Sequence, residues 1–169
     1  VWPDGLVGSI THCTGYRGAA LAVASHDIAG LGVDAEPNAP LPPGVLELVA
    51  SEDERRGLAR QALRSPFVAW DRMLFSAKEA VYKAWFPVTG TWLGFEEARV
   101  AFDGPHFTAD LRGADVTLTG RWGTSGGLLA TSVALTADLA DRMRTSTAQE
   151  DVIGPGRSAA RPDVPHDVR

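Results

Sequence analysis

The sequence predicts an α+β fold, a long helix packed on an antiparallel sheet, and three observations carry that reading. Phe67, Trp70, Leu74, Ala77, Val81 and Ala84 recur at spacings of 3, 4, 3, 4 and 3, which lays one apolar face along a single long helix. After it come three or four strand-like runs, "EARVAFD", "HFTADL", "VTLTGRW" and "LLATSVAL", punctuated by Gly and Asp as in an antiparallel meander. Further strand-like runs precede the helix, and a helix layered on a sheet accommodates both sets.

In chain order, Gly8 to Cys13 ("GSITHC") is rich in β-branched residues, and Ala20 to Ser25 ("ALAVAS") is small and apolar. His26-Asp27 is a polar turn that would lead the second run back as "IAGLGVDAE", so these two runs are expected to pair as a hairpin. Pro37, Pro40, Pro42 and Pro43 then end regular structure. Ser51 to Ala62 reads as a helix opened by a Ser51/Glu54 capping box. The long helix runs from roughly Pro66, near its first position, to Phe86, with Pro87 at the stop. From Arg144 onward the chain is rich in Pro, Gly, Ser and charge without apolar periodicity, and residues 144–169 are expected to be a disordered tail.

The composition narrows the function. At 169 residues and 44% hydrophobic, the chain has room for one domain with a real core. A net charge of −5 without any basic run argues against nucleic acid as a partner. Cys13 is the only cysteine, so no internal disulfide forms and a reducing, cytoplasmic setting is the default. No signal peptide is recognisable and no apolar run approaches the ~20 residues of a membrane span, so no membrane partner is expected. The opening "VWPDG" lacks an initiator Met and enters strand-like sequence at once, which leads to the expectation of an N-terminally truncated fragment.

The stretch "GVDAEP" sets Asp34 and Glu36 two residues apart on a strand, hence on one face, where they repel unless something positive lies between them or both face water. On the long helix, Arg72, Ser76, Glu79 and Lys83 fall at spacings of 4, 3 and 4 and form a polar stripe opposite the apolar face. Ser76 and Glu79 could open a new helix as a capping box, although the unbroken apolar spacing around Ser76 speaks against it. Glu79 and Lys83 could equally be an exposed i,i+4 pair worth ~0.3–0.5 kcal/mol, the simpler reading of the spacing alone. Joined with Asp34 and Glu36, however, Glu79 completes a set of three hard oxygen ligands suited to Mg²⁺, with Lys83 as a phosphate contact or charge stabiliser.

Three segments, "WPDGLVGSITHCTGYRGAALA" (Trp2 to Ala22), "GLGVDAEPNAPLP" (Gly30 to Pro42) and "FSAKEAVYKAWFP" (Phe75 to Pro87, continuing into "WLGFEEA"), match in order and spacing the signatures of the larger, Sfp-type 4′-phosphopantetheinyl transferases. The chain resembles the actinobacterial branch most closely, and the resemblance covers about residues 1–102. It implies transfer of the phosphopantetheine arm of coenzyme A to a serine of an apo acyl or peptidyl carrier protein, with adenosine 3′,5′-bisphosphate as by-product. Carried over by position, Asp34, Glu36 and Glu79 match the family's Mg²⁺ ligands, with Mn²⁺ an alternative ion. Lys83 matches the lysine beside the reaction centre that contacts coenzyme A phosphate. His12, with Thr11 as its small hydroxyl neighbour, matches a phosphate-binding pair, and Lys78 matches a further coenzyme A contact. The implied mechanism is direct attack by the carrier serine on the β-phosphoryl group, with Glu79 or Glu36 accepting its proton. The implied fold is a pseudo-dimer of two α+β halves. On it, residues 1–32 are the remainder of the N-terminal half and 33–143 the C-terminal half with the metal site, in a chain expected to be a monomer.

Plainer readings stand beside these. His12 could be an ordinary strand histidine, Cys13 reads as a packing residue, and Arg17 could reach phosphate or simply be exposed. Trp70 and Trp85 read as core. Trp92, Leu93 and Phe95 could line a pantetheine channel or pack in the core, while His26, His106 and His166 suggest no role. Two other functions remain open: a Mg²⁺-dependent nuclease or phosphodiesterase, which the net charge and missing basic stripe oppose, and a truncated form that docks carrier proteins without modifying them.

Overall fold

The computed structural model describes residues 2–23, 27–112 and 116–143. Two strands, β1 (Leu6–Cys13) and β2 (Tyr16–Val23), form a hairpin in which Cys13 faces Tyr16. Gly15, at φ 77°, supplies the left-handed residue that so tight a turn requires. The expected hairpin between the Ala20–Ser25 run and the Asp34 strand therefore does not form: β2 is taken by β1, and the Asp34 strand, β3 (Gly30–Pro37), pairs antiparallel with the last strand of the sheet. His26, the expected turn residue, lies outside the described residues, as does the tail 144–169.

The meander forms as the sequence predicts. Strands β4 (Ala98–Asp103), β5 (His106–Leu111), β6 (Val116–Ser125) and β7 (Leu128–Leu135) follow one another antiparallel, and β3 joins them to give the order β3-β7-β6-β5-β4. Alternation sends Val100, Phe107, Leu118, Leu129, Val133 and Leu135 to one face, all buried, while Thr108, Thr119 and Ser132 point outward and are exposed. The expected boundary at 32/33 falls inside β3, which belongs as a whole to this sheet.

One edge of β3 is unpaired in that sheet, and β1 covers it by an unusual route. The Ser9 hydroxyl accepts from the Val33 N–H (3.0 Å) and the Thr11 hydroxyl accepts from the Ala35 N–H (2.9 Å). Side-chain oxygens thus satisfy the donors that a neighbouring backbone would otherwise serve.

Three helices connect β3 to β4. The five-residue α1 (Val45–Val49) is not foreseen from the sequence, where the preceding prolines read as the end of regular structure. Val49 repays its formation by packing with Leu41 and Phe75. α2 (Glu52–Arg64) begins as expected, with the Ser51 side chain and the Glu54 backbone and carboxylate forming the reciprocal capping box. α3 (Trp70–Thr89) is the long helix, shifted from its expected bounds at both ends. Its start is delayed because the Asn38 side chain accepts from the Ala69 N–H and donates to the Phe67 carbonyl, holding residues 65–69 as a turn and leaving Phe67 72% exposed rather than on the helix face. Its end passes through Pro87, which in the last turn forfeits only one backbone bond, and stops at Gly90 in the left-handed conformation (φ 68°).

α3 lies on the inner face of the sheet with Met73, Leu74, Ala77, Ala80, Val81 and Ala84 fully buried. Trp70 and Trp85 are core residues, as expected, and Trp70 meets Phe102 and Trp122 edge-on at 5.3 and 5.0 Å. A closing helix, α4 (137–143), adds Ala140 and Met143 to the buried set. Among the described residues no helix is long and apolar enough to cross a membrane.

Two contacts set how α3 sits. Gly32 on β3 touches the helix backbone, and a Cβ there would stand 1.8 Å from the Ala80 carbonyl oxygen. On the other flank the Lys78 ammonium is buried and donates to the Val49 carbonyl (2.7 Å), the Phe95 carbonyl (2.7 Å) and Glu54 Oε2 (3.1 Å). Glu54 also accepts from the Val100 N–H, so one ion pair ties α1, α2, α3 and β4 together. Burial lowers the Lys78 pKa, and the hydrogen bond and charge of Glu54 work against that shift.

Gly32→Ala forces helix and strand apart and is expected to destabilise the chain by at least ~1–3 kcal/mol, measured as a drop in urea midpoint. Lys78→Met leaves Glu54 buried without its cation and is expected to cost about 3–5 kcal/mol in the same measurement.

Candidate active site

The alternation of β3 turns Gly30, Gly32, Asp34 and Glu36 toward α3. The two glycines let the helix approach closely, and the two carboxylates occupy the strand where the helix still leaves room for side chains. Both are nearly inaccessible, Asp34 at 5% and Glu36 at 3%. They do not face water, so their repulsion has to be met by the protein.

The helix meets it. Each residue of the stripe after Arg72 directly precedes a fully buried alanine (Ala77, Ala80, Ala84), so the stripe lies roughly 100° around the helix from the buried face rather than opposite it. It points at β3 and β7. Arg72 Nη1 donates to Glu36 Oε2 at 3.1 Å, and Ser76 Oγ meets Thr131 Oγ1 at 2.9 Å. Lys83 Nζ donates to Asp34 Oδ1 at 2.6 Å and to the Val33 carbonyl at 3.2 Å. The reading of Lys83 as half of an exposed surface pair is thus set aside, since it reaches a buried carboxylate on another element.

The carboxylates are held unevenly. Asp34 Oδ1 takes Lys83 and the Thr11 hydroxyl (3.2 Å), whereas Oδ2 is buried with no hydrogen-bond partner among the described residues. Burial and the Asp34 charge push the Glu36 carboxyl up to about 7, opposed by the charge and hydrogen bond of Arg72. The Glu79 charge adds to that upward push, which places the half-buried Glu79 within electrostatic reach of the pair. Among the described residues no three His, Cys, Asp or Glu side chains already stand close enough to hold a metal ion. Asp34 is held by Lys83 and Thr11, and Glu36 by Arg72. The orphaned Oδ2 and the all-oxygen donor set fit a small hard cation.

The remaining expected site residues divide. Thr11 lies against β3, bridging Ala35 N–H and Asp34, so its hydroxyl orients a carboxylate from below. His12, its neighbour, points to the opposite face of the hairpin, where it is exposed across from Arg17 and apart from the carboxylates. Lys78 is not brought to this site: all its observed bonds are to Val49, Phe95 and Glu54 on the far flank of α3. Trp92, Leu93 and Phe95 diverge as well. Leu93 joins the main core, Phe95 packs by Phe75, and the 43%-exposed Trp92 meets Tyr82 at a tilt with ring centres 5.0 Å apart.

Two features went unread in the sequence. Cys13 is a buried packing residue as expected, yet its thiol is raised first by burial and then by the charges of Glu36 and Asp34, so it borders the site. The signal was available, since Ser9, Thr11 and Cys13 alternate on one strand face. The other is Arg72, seen as part of the stripe but given no task.

Comparison with known proteins places the chain in a family. Residues 30–122 match the model of the 4′-phosphopantetheinyl transferase superfamily. The 4′-phosphopantetheinyl transferase Svp of Streptomyces mobaraensis is 49% identical over 173 residues, covering 96% of this chain and 67% of the relative. For PptT of Mycobacterium tuberculosis the identity is 44%, with 79% of this chain and 64% of the relative covered. For Npt of Nocardia iowensis it is 49%, with 65% and 48% covered. The chain therefore spans between about half and two thirds of the length of these relatives.

A carboxyl raised in the fold is stabilising while protonated and loses that contribution as pH climbs from its unfolded value to its folded one. Without added metal, the urea midpoint is therefore expected to fall between roughly pH 4.3, the unfolded glutamate value, and the folded value of about 7. Glu36→Gln should flatten that slope.

Proposed function

The chain belongs to the 4′-phosphopantetheinyl transferase superfamily, and from that premise we propose that it moves the phosphopantetheine arm of coenzyme A onto a serine of an apo acyl or peptidyl carrier protein, releasing adenosine 3′,5′-bisphosphate. The observation that carries the reading is the buried Asp34–Glu36 pair, with one orphaned oxygen, facing Glu79 and Lys83 from α3.

Asp34, Glu36 and Glu79 would hold Mg²⁺, or Mn²⁺ in its place, which when bound supplies charge neutralisation for the pyrophosphate of coenzyme A. Lys83 keeps two of its donors on Asp34 and the Val33 carbonyl, which fixes the ammonium and leaves a third N–H for a substrate phosphate oxygen. Thr11 orients Asp34 through its hydroxyl. The carrier serine needs a proton acceptor, and Glu36 or Glu79 takes that part. Burial makes Glu36 more basic than an ordinary carboxylate, as a base working near neutral pH requires. No side chain of the protein has to act as nucleophile. The exposed pair His12 and Arg17 faces away from the carboxylates and would meet a more distant part of the substrate. The single cysteine, Cys13, is free and buried, and the cytoplasm is the setting proposed for the activity.

Intact-mass spectrometry of an apo carrier incubated with the chain, coenzyme A and Mg²⁺ tests the proposal. The expected result is a gain of one phosphopantetheinyl group that EDTA abolishes. Asp34→Asn and Glu79→Gln should each lower the rate by more than the roughly 10–100-fold typical of outer-shell changes at metal sites. Normal turnover in either variant contradicts the ligand assignment, and a carrier that binds without gaining mass contradicts transfer by this chain.

A further inference from the structure

We propose that Arg72 is a positioning residue for Glu36: it commits one carboxylate oxygen and leaves the other to be presented to a divalent cation. The inference rests on the reading of Asp34, Glu36 and Glu79 as an oxygen ligand set.

Arg72 stands in the first turn of α3 with its side chain 11% exposed, against Glu36 at 4%. Its guanidinium makes three different bonds. Nη1 donates to Glu36 Oε2, Nε to the Ala39 carbonyl at 3.2 Å and Nη2 to the Pro40 carbonyl at 3.0 Å. The segment that carries those carbonyls is itself anchored. The Leu41 N–H donates to Asp71 Oδ2 at 2.8 Å, and Asn38 grips the turn ahead of α3. A planar group held at two of its nitrogens by anchored carbonyls has its orientation set by them, so Arg72 forms a bracket between the exit of β3 and the start of α3.

That bracket explains the form of its contact with Glu36. An arginine free to choose usually meets a carboxylate with two parallel bonds. Here Nε and Nη2 are occupied by the loop, and a single oxygen of Glu36 is engaged. Asp34 is divided in the same way, with Oδ1 committed to Lys83 and Thr11 and Oδ2 without a partner. Two buried carboxylates, each with one oxygen tied down, form a pair of single-oxygen donors, as suits a small cation with strict octahedral demands. Lysine in place of Arg72 would keep the charge but could not span two carbonyls and a carboxylate in one plane.

Charge and position make opposite predictions. A cationic side chain beside a dication repels it, so if Arg72 acted through charge alone, its removal would tighten metal binding. If it acts by holding Glu36, its removal loosens binding, by the ~10–100-fold typical of outer-shell partners.

The test is a Mn²⁺ titration of the coenzyme A-free chain, followed by electron paramagnetic resonance. Arg72→Met is expected to raise the Mn²⁺ dissociation constant about 10–100-fold, and Arg72→Lys by less. Carrier modification should recover toward the parent rate at saturating Mn²⁺, so the defect lies in the metal concentration required and not in kcat. Urea unfolding without metal reads the anchoring of the loop separately. Should Arg72→Met fail to fold, Arg72→Lys decides. Unchanged or tighter Mn²⁺ binding in the folded variants overturns the proposal. A parent chain that takes up no Mn²⁺ overturns it together with the ligand set. A parent that binds Mn²⁺ yet modifies no carrier overturns only the proposed activity, and the affinities still decide the role of Arg72.

Discussion

The close approach of α3 to β3 is the constraint on which the rest depends. With a hydrogen atom where other residues carry a Cβ, Gly32 lets the strand lie directly against the Ala80 carbonyl, and Ala77, Ala80 and Ala84 keep the helix side of that contact equally thin. Small residues in this contact bring the neighbouring long side chains into reach. Lys83 can donate to both the backbone and the carboxylate of β3, and Arg72 can reach past Glu36 to the loop, because the axis of the helix is so near the strand. A larger residue at position 32 would move every one of these contacts together.

The site then uses positive side chains in the role that the sequence alone suggested for a metal. Asp34 and Glu36 share a buried face because Lys83 and Arg72 each neutralise one of them. Neither cation uses up its carboxylate, and the leftover affinity is visible as an unpaired oxygen on Asp34 and a Glu36 carboxyl pushed up to about 7. A further carboxylate drawn into such a face would need positive charge beside it.

Much of the fold was legible because its signals are local. The capping box at Ser51, the apolar spacing of α3 and the four strands after it depend on residues near one another, and all appear. What failed depends on distant partners. The start of α3 is set by Asn38, some thirty residues upstream, and the partner of β3 is β7 near the other end of the chain. Lys78 shows the same limit: the family resemblance matches it to a coenzyme A contact, while its side chain is held by Val49, Phe95 and Glu54 on the other flank of the helix. The shared face of Asp34 and Glu36 was legible from the period of two, whereas the reach of Lys83 to Asp34 from another element was not fixed by helical spacing. Arg72 was not legible either, since its meaning lies in a loop whose path no periodicity announces.

The joint between the β1–β2 hairpin and the five-stranded sheet carries one more implication. A backbone ladder is generic, and two strands joined by one can shift by two residues with every bond re-formed and every side chain still on its face. Here the bonds belong to the hydroxyls of Ser9 and Thr11, which only those two positions of β1 provide in that place. The alignment of the hairpin along β3 is therefore written in side chains and admits a single setting. The same Thr11 oxygen that marks this setting also touches Asp34, so the chain carries its own gauge: when the two pieces mate correctly, the carboxylate is correctly aimed.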